Sequence, residues 1–146
     1  MSIKQISIFL VNKPGALKNM TGVLAANDID MRAISVAETK EYGIARIVVD
    51  DVINAVDILK DVDFVTVVNS VVAVEIPDEP GALDKILEIF AAVNVNIEYM
   101  YSFIIGQQSK SAGMIFRVSD TAAAETRLAA RGIHVLSLAE IQDEEE

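Results

Sequence analysis

The residues whose types and spacing could do chemistry lie in a strand-to-helix turn that occurs twice in the chain. Residues 12–17 read NKPGAL and residues 78–83 read DEPGAL. Proline fixes the backbone ahead of a helix, while glycine lacks a Cβ and lets another molecule approach the chain closely. The chemistry that such a turn could do is the binding of a small molecule.

The start of the helix after each turn is a candidate anion site. The first N–H groups of a helix have no intrahelical partner and lie at the positive end of its macrodipole, which suits a carboxylate. The side chain of Asn12 or Asp78, at the end of the preceding strand, could hold an ammonium group. Together these parts would recognise a zwitterion. The alternative is that the turn only connects two elements, with Asn12 or Asp78 as the helix cap.

Composition excludes several other functions. The chain has 146 residues and a formal net charge of -10, so nucleic acid and anionic membranes are poor partners. It has no cysteine and one histidine, which excludes disulfides, thiolate chemistry and a two-histidine metal site within one chain. No nucleotide-binding or metal motif is present, and His134 is expected to be solvated or capping. We therefore expect no catalytic residue, metal or cofactor.

The N-terminus lacks the pattern of a signal peptide, and the longest apolar stretch, residues 64–76, is too short to span a bilayer. The sequence therefore predicts a soluble, cytoplasmic protein. Residues 142–146, which end in the acidic run 143–146, are expected to form a solvated tail.

An internal repeat organises the rest of the chain. The glycines of the two turns are 66 residues apart (81 − 15), and the same offset matches the apolar residues of the flanking strand and helix. Further on the offset grows by four, matching Gly43 with Gly113, Val48 with Val118 and Asp50 with Asp120. The extra residues are placed around 107–110, in a hairpin loop.

Hydrophobic periodicity gives each half the order β-α-β-β-α-β. In the first half, alternation predicts strands at 3–11, 31–39, 44–49 and 64–68, with helices after Pro14 and from Val52. In the second half the strands fall at 71–76, 98–106, 112–119 and 134–139, with helices at 83–93 and 121–131. The fold class is thus α+β: two ferredoxin-like βαββαβ units in tandem, at 1–69 and 70–141.

This combination of element order, N-x-P-G-x-L turn and duplication resembles the ACT domain. ACT domains are small regulatory modules attached to, or partnering, enzymes of amino-acid metabolism. The resemblance covers about residues 3–69 and 71–141, and it implies modules that pair side by side, with helices on one face of the joined sheets. It also implies an amino-acid effector at the interface, held by the first turn of one module and the start of the second strand of another.

Carried over by position, the resemblance assigns ligand binding to one set of residues in each copy. Both copies depart from the family, since Asp78 replaces the usual Asn of the turn and Asp30 replaces the amide that opens strand two. Pairing across the interface would bring Asn12 near Asn96 and Asp78 near Asp30, so one good site is favoured and the second could be degenerate. The assigned residues are Asn12, Pro14, Gly15, Ala16, Leu17, Asp30 and Met31, and Asp78, Pro80, Gly81, Ala82, Leu83, Asn96 and Ile97.

Three aromatic residues alternate on one strand of the second half, at Tyr99, Tyr101 and Phe103. They could pack between modules or subunits, or a tyrosine could line the ligand pocket.

Two functions remain open on the sequence. The first is a non-catalytic, allosteric sensor of a free amino acid, acting as a regulatory protein or subunit, with a homodimer expected because the sheets have unprotected edges. The second is a structural or protein-interaction subunit of an amino-acid biosynthetic enzyme, without a ligand of its own.

Overall fold

The computed structural model describes residues 3–38, 41–105 and 110–142. The predicted order β-α-β-β-α-β, repeated twice, is confirmed, and the chain divides into two compact units at residues 69 and 70. Residues 4–69 form the first module, and residues 70–146 with 1–3 form the second. The elements are β1 Ile3–Val11, α1 Ala16–Ala26, β2 Met31–Glu38, β3 Tyr42–Val49, α2 Val52–Asp61, β4 Val65–Pro77, α3 Ala82–Ala92, β5 Ile97–Phe103, β6 Ser111–Val118, α4 Thr121–Ala130, β7 His134–Val135 and α5 Leu138–Gln142.

The first module is an antiparallel sheet with two helices on one face. β3 pairs with β1 and with β2, which is the outermost strand of this sheet. Strand alternation sends one side of β1 into the core, where it meets the apolar stripe of each helix. That core is built from Ile6, Ile8, Leu10, Met20, Leu24, Ile29, Ala45, Ile47, Val49, Ala55 and Leu59.

The second module repeats this construction with larger side chains. β4 pairs with β6 from Val72 to Pro77, β6 pairs with β5, and β7 adds a short ladder to β4. The rings of Phe90 on α3 and Phe116 on β6 meet edge to face, with centroids 5.0 Å apart. Both side chains are fully buried, so this aromatic pair is the centre of the second core.

The strand register corrects one sequence prediction. Leu10 lies opposite Gly43 in the first module, whereas its counterpart Ile76 lies opposite Ala112, not Gly113. Asp51 and Asp120 likewise occupy the same position, since each is the N-cap of its helix. The offset is therefore 69 (120 − 51), which means three extra residues rather than four. The sequence alignment of this part is wrong by one residue because it matched identical residues: Gly43 with Gly113, Val48 with Val118 and Asp50 with Asp120. Of the predicted insertion site, residues 107–109 lie outside the described residues.

The end of the second module also differs from its prediction as a strand over residues 134–139. β7 contains only His134 and Val135, and helix α5 follows. The reason is a capping box: the Glu140 N–H donates to Ser137 Oγ at 3.2 Å, and the Ser137 N–H donates to Glu140 Oε1 at 3.1 Å. In the sequence, the apolar alternation around Leu136 favours a strand, whereas the capping box favours a helix. Most of the predicted acidic tail, residues 143–146, lies outside the described residues.

Within the described ranges, no helix is long and apolar enough to cross a membrane.

We expect the two aspartate N-caps to stabilise their modules measurably. The Asn54 N–H donates to Asp51 Oδ1 at 3.1 Å, and the Ala123 N–H donates to Asp120 Oδ1 at 3.0 Å. Asp51→Ala or Asp120→Ala should each lower the free energy of unfolding by about 1 kcal/mol, because each leaves a helix N–H without its acceptor. Urea denaturation measures this. The Asn variants serve as controls and should lose much less, since asparagine caps equally well; equal losses for Ala and Asn would contradict the assignment.

Candidate functional site: the Pro-Gly turns

The first Pro-Gly turn carries the chain from β1 into α1. Gly15 is the N-cap of α1 and adopts a left-handed backbone conformation, with φ 87° and ψ -12°. The turn is closed by backbone hydrogen bonds, among them Lys13 N–H to Val11 O at 2.9 Å and Asn19 N–H to Gly15 O at 2.9 Å. A Cβ on Gly15 would meet no atom within 4 Å. Within the module, therefore, the space over Gly15 is open to an approaching molecule.

The second turn, from β4 into α3, has nearly the same geometry. Gly81 is the N-cap of α3 with φ 86° and ψ -7°, and a Cβ there would also meet no atom within 4 Å. The Glu79 N–H donates to Pro77 O at 3.0 Å, as Lys13 does to Val11. The sequence repeat is thus a repeat of backbone conformation.

The N-cap residue of each helix is a glycine, Gly15 or Gly81, which has no side chain with which to cap the helix. Asn12 and Asp78 are therefore not the N-cap residues of α1 and α3. The Asn12 N–H donates to Glu41 O at 3.3 Å, and the Asp78 N–H donates to Lys110 O at 2.9 Å. These contacts fix the end of the strand that leads into each turn. The start of a helix is where an anion site can form.

The residues assigned to the start of strand two lie at the far end of the same module. Val11 faces Tyr42, the first residue of β3, whereas Met31 faces Val49, the last residue of β3. The eight-residue strand between them spans roughly 24 Å. One module consequently does not bring its own Gly15 and Asp30 together. In the second module, Ile97 likewise faces Val118, at the end of β6 away from Ser111 and Pro77.

Asp30 and Asn96 are both exposed at the start of these strands. The Asp30 N–H donates to Asp50 Oδ1 at 3.2 Å, and the Asp30 carboxylate lies 3.2 Å from Arg32 Nε. The Asn96 carbonyl accepts from the Ser119 N–H at 3.1 Å. The positive charge of Arg32 thus lies beside the Asp30 carboxylate, whereas the side chain of Asn96 is an uncharged amide.

Charge distinguishes the two turns more sharply than their geometry does. Lys13 and Lys18 lie near the first Pro-Gly turn, and the first helical turn of α1 holds no acidic residue. Asp78 and Glu79 lie near the second Pro-Gly turn, and Asp84 lies in the first helical turn of α3. Negative side chains at a helix N-terminus compete with a bound anion. These charges would favour a carboxylate at the first turn over one at the second.

Apolar exposure distinguishes the turns as well, and the sequence alone did not reveal it. Phe9, Val11 and Tyr42 are 38%, 61% and 46% exposed beside the first turn, with the rings of Phe9 and Tyr42 6.5 Å apart. By strand register the matching residues beside the second turn are Glu75, Pro77 and Ser111. An apolar surface thus borders the first turn.

The aromatic stripe of β5 has a partly structural role. Phe103 lies opposite Gly113, and a Cβ on that glycine would come within 2.6 Å of the Phe103 ring. The Phe103 ring therefore occupies the space over Gly113 that a side chain would fill, and it covers this part of β6. Tyr99 lies opposite Arg117, whose Nε forms an ion pair with the Glu98 carboxylate at 3.2 Å. Whether a tyrosine lines the effector pocket stays a prediction.

Sequence reasoning missed one polar cluster, at the end of the second module. The lone histidine, His134, contacts the Glu140 carboxylate through Nε2. Among the described residues, no group of three or more His, Cys, Asp or Glu side chains is arranged to hold a metal ion.

Two βαββαβ modules, each with a Pro-Gly turn after its first strand whose glycine is the helix N-cap, define a class of tandem ferredoxin-like proteins. Comparison with known sequences gives the family: a family model described as an ACT domain pair matches residues 1–142. The chain belongs to the ACT family, as the resemblance in its sequence predicted.

Solved structures show the same architecture. Protein BT0572 from Bacteroides thetaiotaomicron is 36% identical, with a TM-score of 0.90 over 98% of this chain and 97% of that one. The ligand-free regulatory subunit of aspartate kinase from Thermus thermophilus is 18% identical, with a TM-score of 0.67 over 90% and 92% of the two chains. The corresponding subunit from Thermus flavus is also 18% identical, with a TM-score of 0.64 over 98% and 94%. The two Thermus likenesses are likenesses of fold. No curated protein matches the chain.

Proposed function

We propose that the protein is a non-catalytic sensor that binds a free amino acid between ACT modules through its Pro-Gly turns. The observation that carries this proposal is the first turn itself, in which the N-cap of α1 is a glycine with open space over it. The effector carboxylate would accept hydrogen bonds from the N–H groups of Gly15 and Leu17, and the Asn12 side chain would hold its ammonium group.

The distances within one module support a site at an interface between modules. Because the turn and the start of strand two lie at opposite ends of β3, they can contact one ligand only if they come from different modules. Met31 and Ile97 would then contribute apolar contacts, beside Asp30 and Asn96. A homodimer would supply such modules, and β2, as an outermost strand with Ile34 and Val36 exposed, offers an edge for pairing.

The two sites are not expected to be equal. The lysines near the first turn favour a carboxylate there, whereas Asp78, Glu79 and Asp84 disfavour one at the second. We therefore propose the first turn, with Asn96 opposite Asn12, as the principal site. The second turn, with Asp78, Pro80, Gly81, Ala82 and Leu83, is the weaker or degenerate one.

Effector binding would act by changing how modules pack, which is how an ACT pair can transmit a signal to an enzyme. The named regulatory subunits of aspartate kinase among the similar structures support an enzyme of amino-acid metabolism as the partner class. A cytoplasmic location would fit that role.

The second candidate function is a structural or interaction subunit with empty turns. The exposed apolar surface of Phe9, Val11 and Tyr42 favours it, because such a surface can also dock a protein.

A thermal-shift screen with the twenty amino acids separates the two functions. At a hundred times its Kd an effector adds about 2.7 kcal/mol of stability, which raises the melting temperature by roughly 5–10 °C for a chain of this size. The methyl ester of the same amino acid is the matched control. It lacks the carboxylate and should give little or no shift. Absence of any shift at millimolar concentration would favour the interaction subunit and contradict the sensor.

A further inference from the structure

Helix α5, at the end of the second module, is too short to be stable by itself. It contains five residues, Leu138–Gln142, whereas isolated helices shorter than about 12 residues are marginal in water. Its docking must therefore come from contacts with the module. One of these is apolar, since Ile141 is only 4% exposed.

The polar contacts of α5 converge on a single carboxylate. Glu140 Oε1 accepts from the Ser137 N–H and from Ser137 Oγ, both at 3.1 Å, which fixes the first turn of the helix. Glu140 Oε2 contacts His134 Nε2, on β7. The same side chain thus joins the helix to the strand before it.

The strand end of this connection is held separately. His134 lies opposite Glu75 in the ladder with β4, and the Leu136 N–H donates to Ala73 O at 2.8 Å. These backbone bonds do not involve Glu140. The helix can therefore open while the strand stays paired.

We propose that Glu140 is a latch that holds α5 on the second module and that loosens when His134 loses its proton. Histidine is the side chain that ordinarily changes charge between pH 5 and 8. A protonated ring makes an ion pair with Glu140, whereas a neutral ring makes only a hydrogen bond.

The pKa of Glu140 sets the acid side of this behaviour. The hydrogen bond from His134, followed by that from the Ser137 N–H, lowers the pKa of the Glu140 carboxyl below its ordinary value. A group whose pKa is lowered by folding contributes stability above its ordinary pKa, and this is lost as the pH falls through the lowered value. Glu140 consequently stays ionised, and able to hold His134, to a pH below the ordinary pKa of a glutamate.

Other charged groups face the same corner. Glu75 of β4 is the ladder partner of His134, and Glu125 of α4 lines a hollow of about 320 Å³ together with Glu140. Both are carboxylates, as Glu140 is. Opening of α5 would uncover Ile141 and widen this hollow.

Amide exchange followed by NMR tests the latch in the full chain. The Ile141 N–H donates to Ser137 O within α5, so its exchange reports the helix, while the Leu136 N–H reports β7. After correction for intrinsic rates, opening at Ile141 should rise about two- to five-fold from pH 6 to pH 8, the range expected for an exposed ion pair, with Leu136 unchanged. Parallel loosening at Leu136, or an unprotected Ile141 at both pH values, would overturn the proposal.

Variants separate the latch from a merely structural helix. Glu140→Gln should raise opening at Ile141 about five-fold at both pH values and remove the pH dependence, because the capping acceptor weakens and the charge is lost. His134→Gln should remove the pH dependence alone. Glu125→Gln deletes a neighbouring charge without touching the capping box and should behave as the wild type. A wild-type profile in Glu140→Gln, or a retained pH dependence in His134→Gln, would overturn the latch.

Discussion

Gly15→Val is expected to abolish the rise in melting temperature that the effector produces. Gly15 has φ 87°, a conformation that a β-branched residue adopts only with strain, and its open face is where the ligand would lie. The valine side chain would both distort the turn and fill the approach to the N–H group of Leu17. The measurement is the thermal shift at saturating effector.

Two glycines provide matched controls for this variant. Gly132, after α4, has φ 78° and equally open space, so Gly132→Val should cost similar stability, about 1–3 kcal/mol, while keeping the effector shift. Gly81→Val makes the same change in the second turn and should keep most of the shift, because the acidic residues there weaken the site. If Gly15→Val retained the full shift, the assignment of the ligand to the first turn would be wrong.

Phe90→Ala is expected to have the largest effect on stability. Phe90 is 1% exposed and packs edge to face on Phe116, so its truncation leaves a cavity that the aromatic core cannot easily fill. The expected loss is about 3–5 kcal/mol in the free energy of unfolding, measured by urea denaturation. This is a large part of the total stability of a typical domain.

The first module supplies the comparison for this prediction. Leu24 occupies the position of Phe90 in the repeat and is also 1% exposed, so Phe90→Leu inserts the residue that the first module uses. Phe90→Leu should cost clearly less than Phe90→Ala, because most of the apolar volume is kept. Equal costs for the two variants would contradict this prediction and show that stability depends on the aromatic ring itself rather than on the apolar volume.

Much of the fold could be predicted because the same pattern of strands and helices occurs twice in the sequence. Alternation in β1 and helical spacing from Leu17 to Leu24 each predicted an element, and their recurrence on the two sides of Pro80 removed the ambiguity of a short pattern. The offset between the repeats was predicted with an error of one residue. The prediction matched the identical Gly43 and Gly113, whereas the equivalent N-caps are Asp51 and Asp120. The sequence carries no direct measure of cross-strand pairing.

Other features depended on contacts between residues distant in sequence or on competing local signals. The segment after His134 reads as a strand by apolar alternation, yet the Ser137–Glu140 capping box makes it a helix. The openness of the turn at Gly15 followed from its residue types. The roughly 24 Å that separate it from Asp30 followed only from the register of β3 with its neighbours.

The most direct test of the amino-acid sensor is an amide NMR titration of the full chain with the amino acid that gives the largest thermal shift. We predict saturable changes at the amides of Gly15, Ala16 and Leu17, with changes at Asn96 or Asp30 that follow the same binding curve. Saturable changes confined to other parts of the chain, with the amides of the first turn unmoved, would contradict the account.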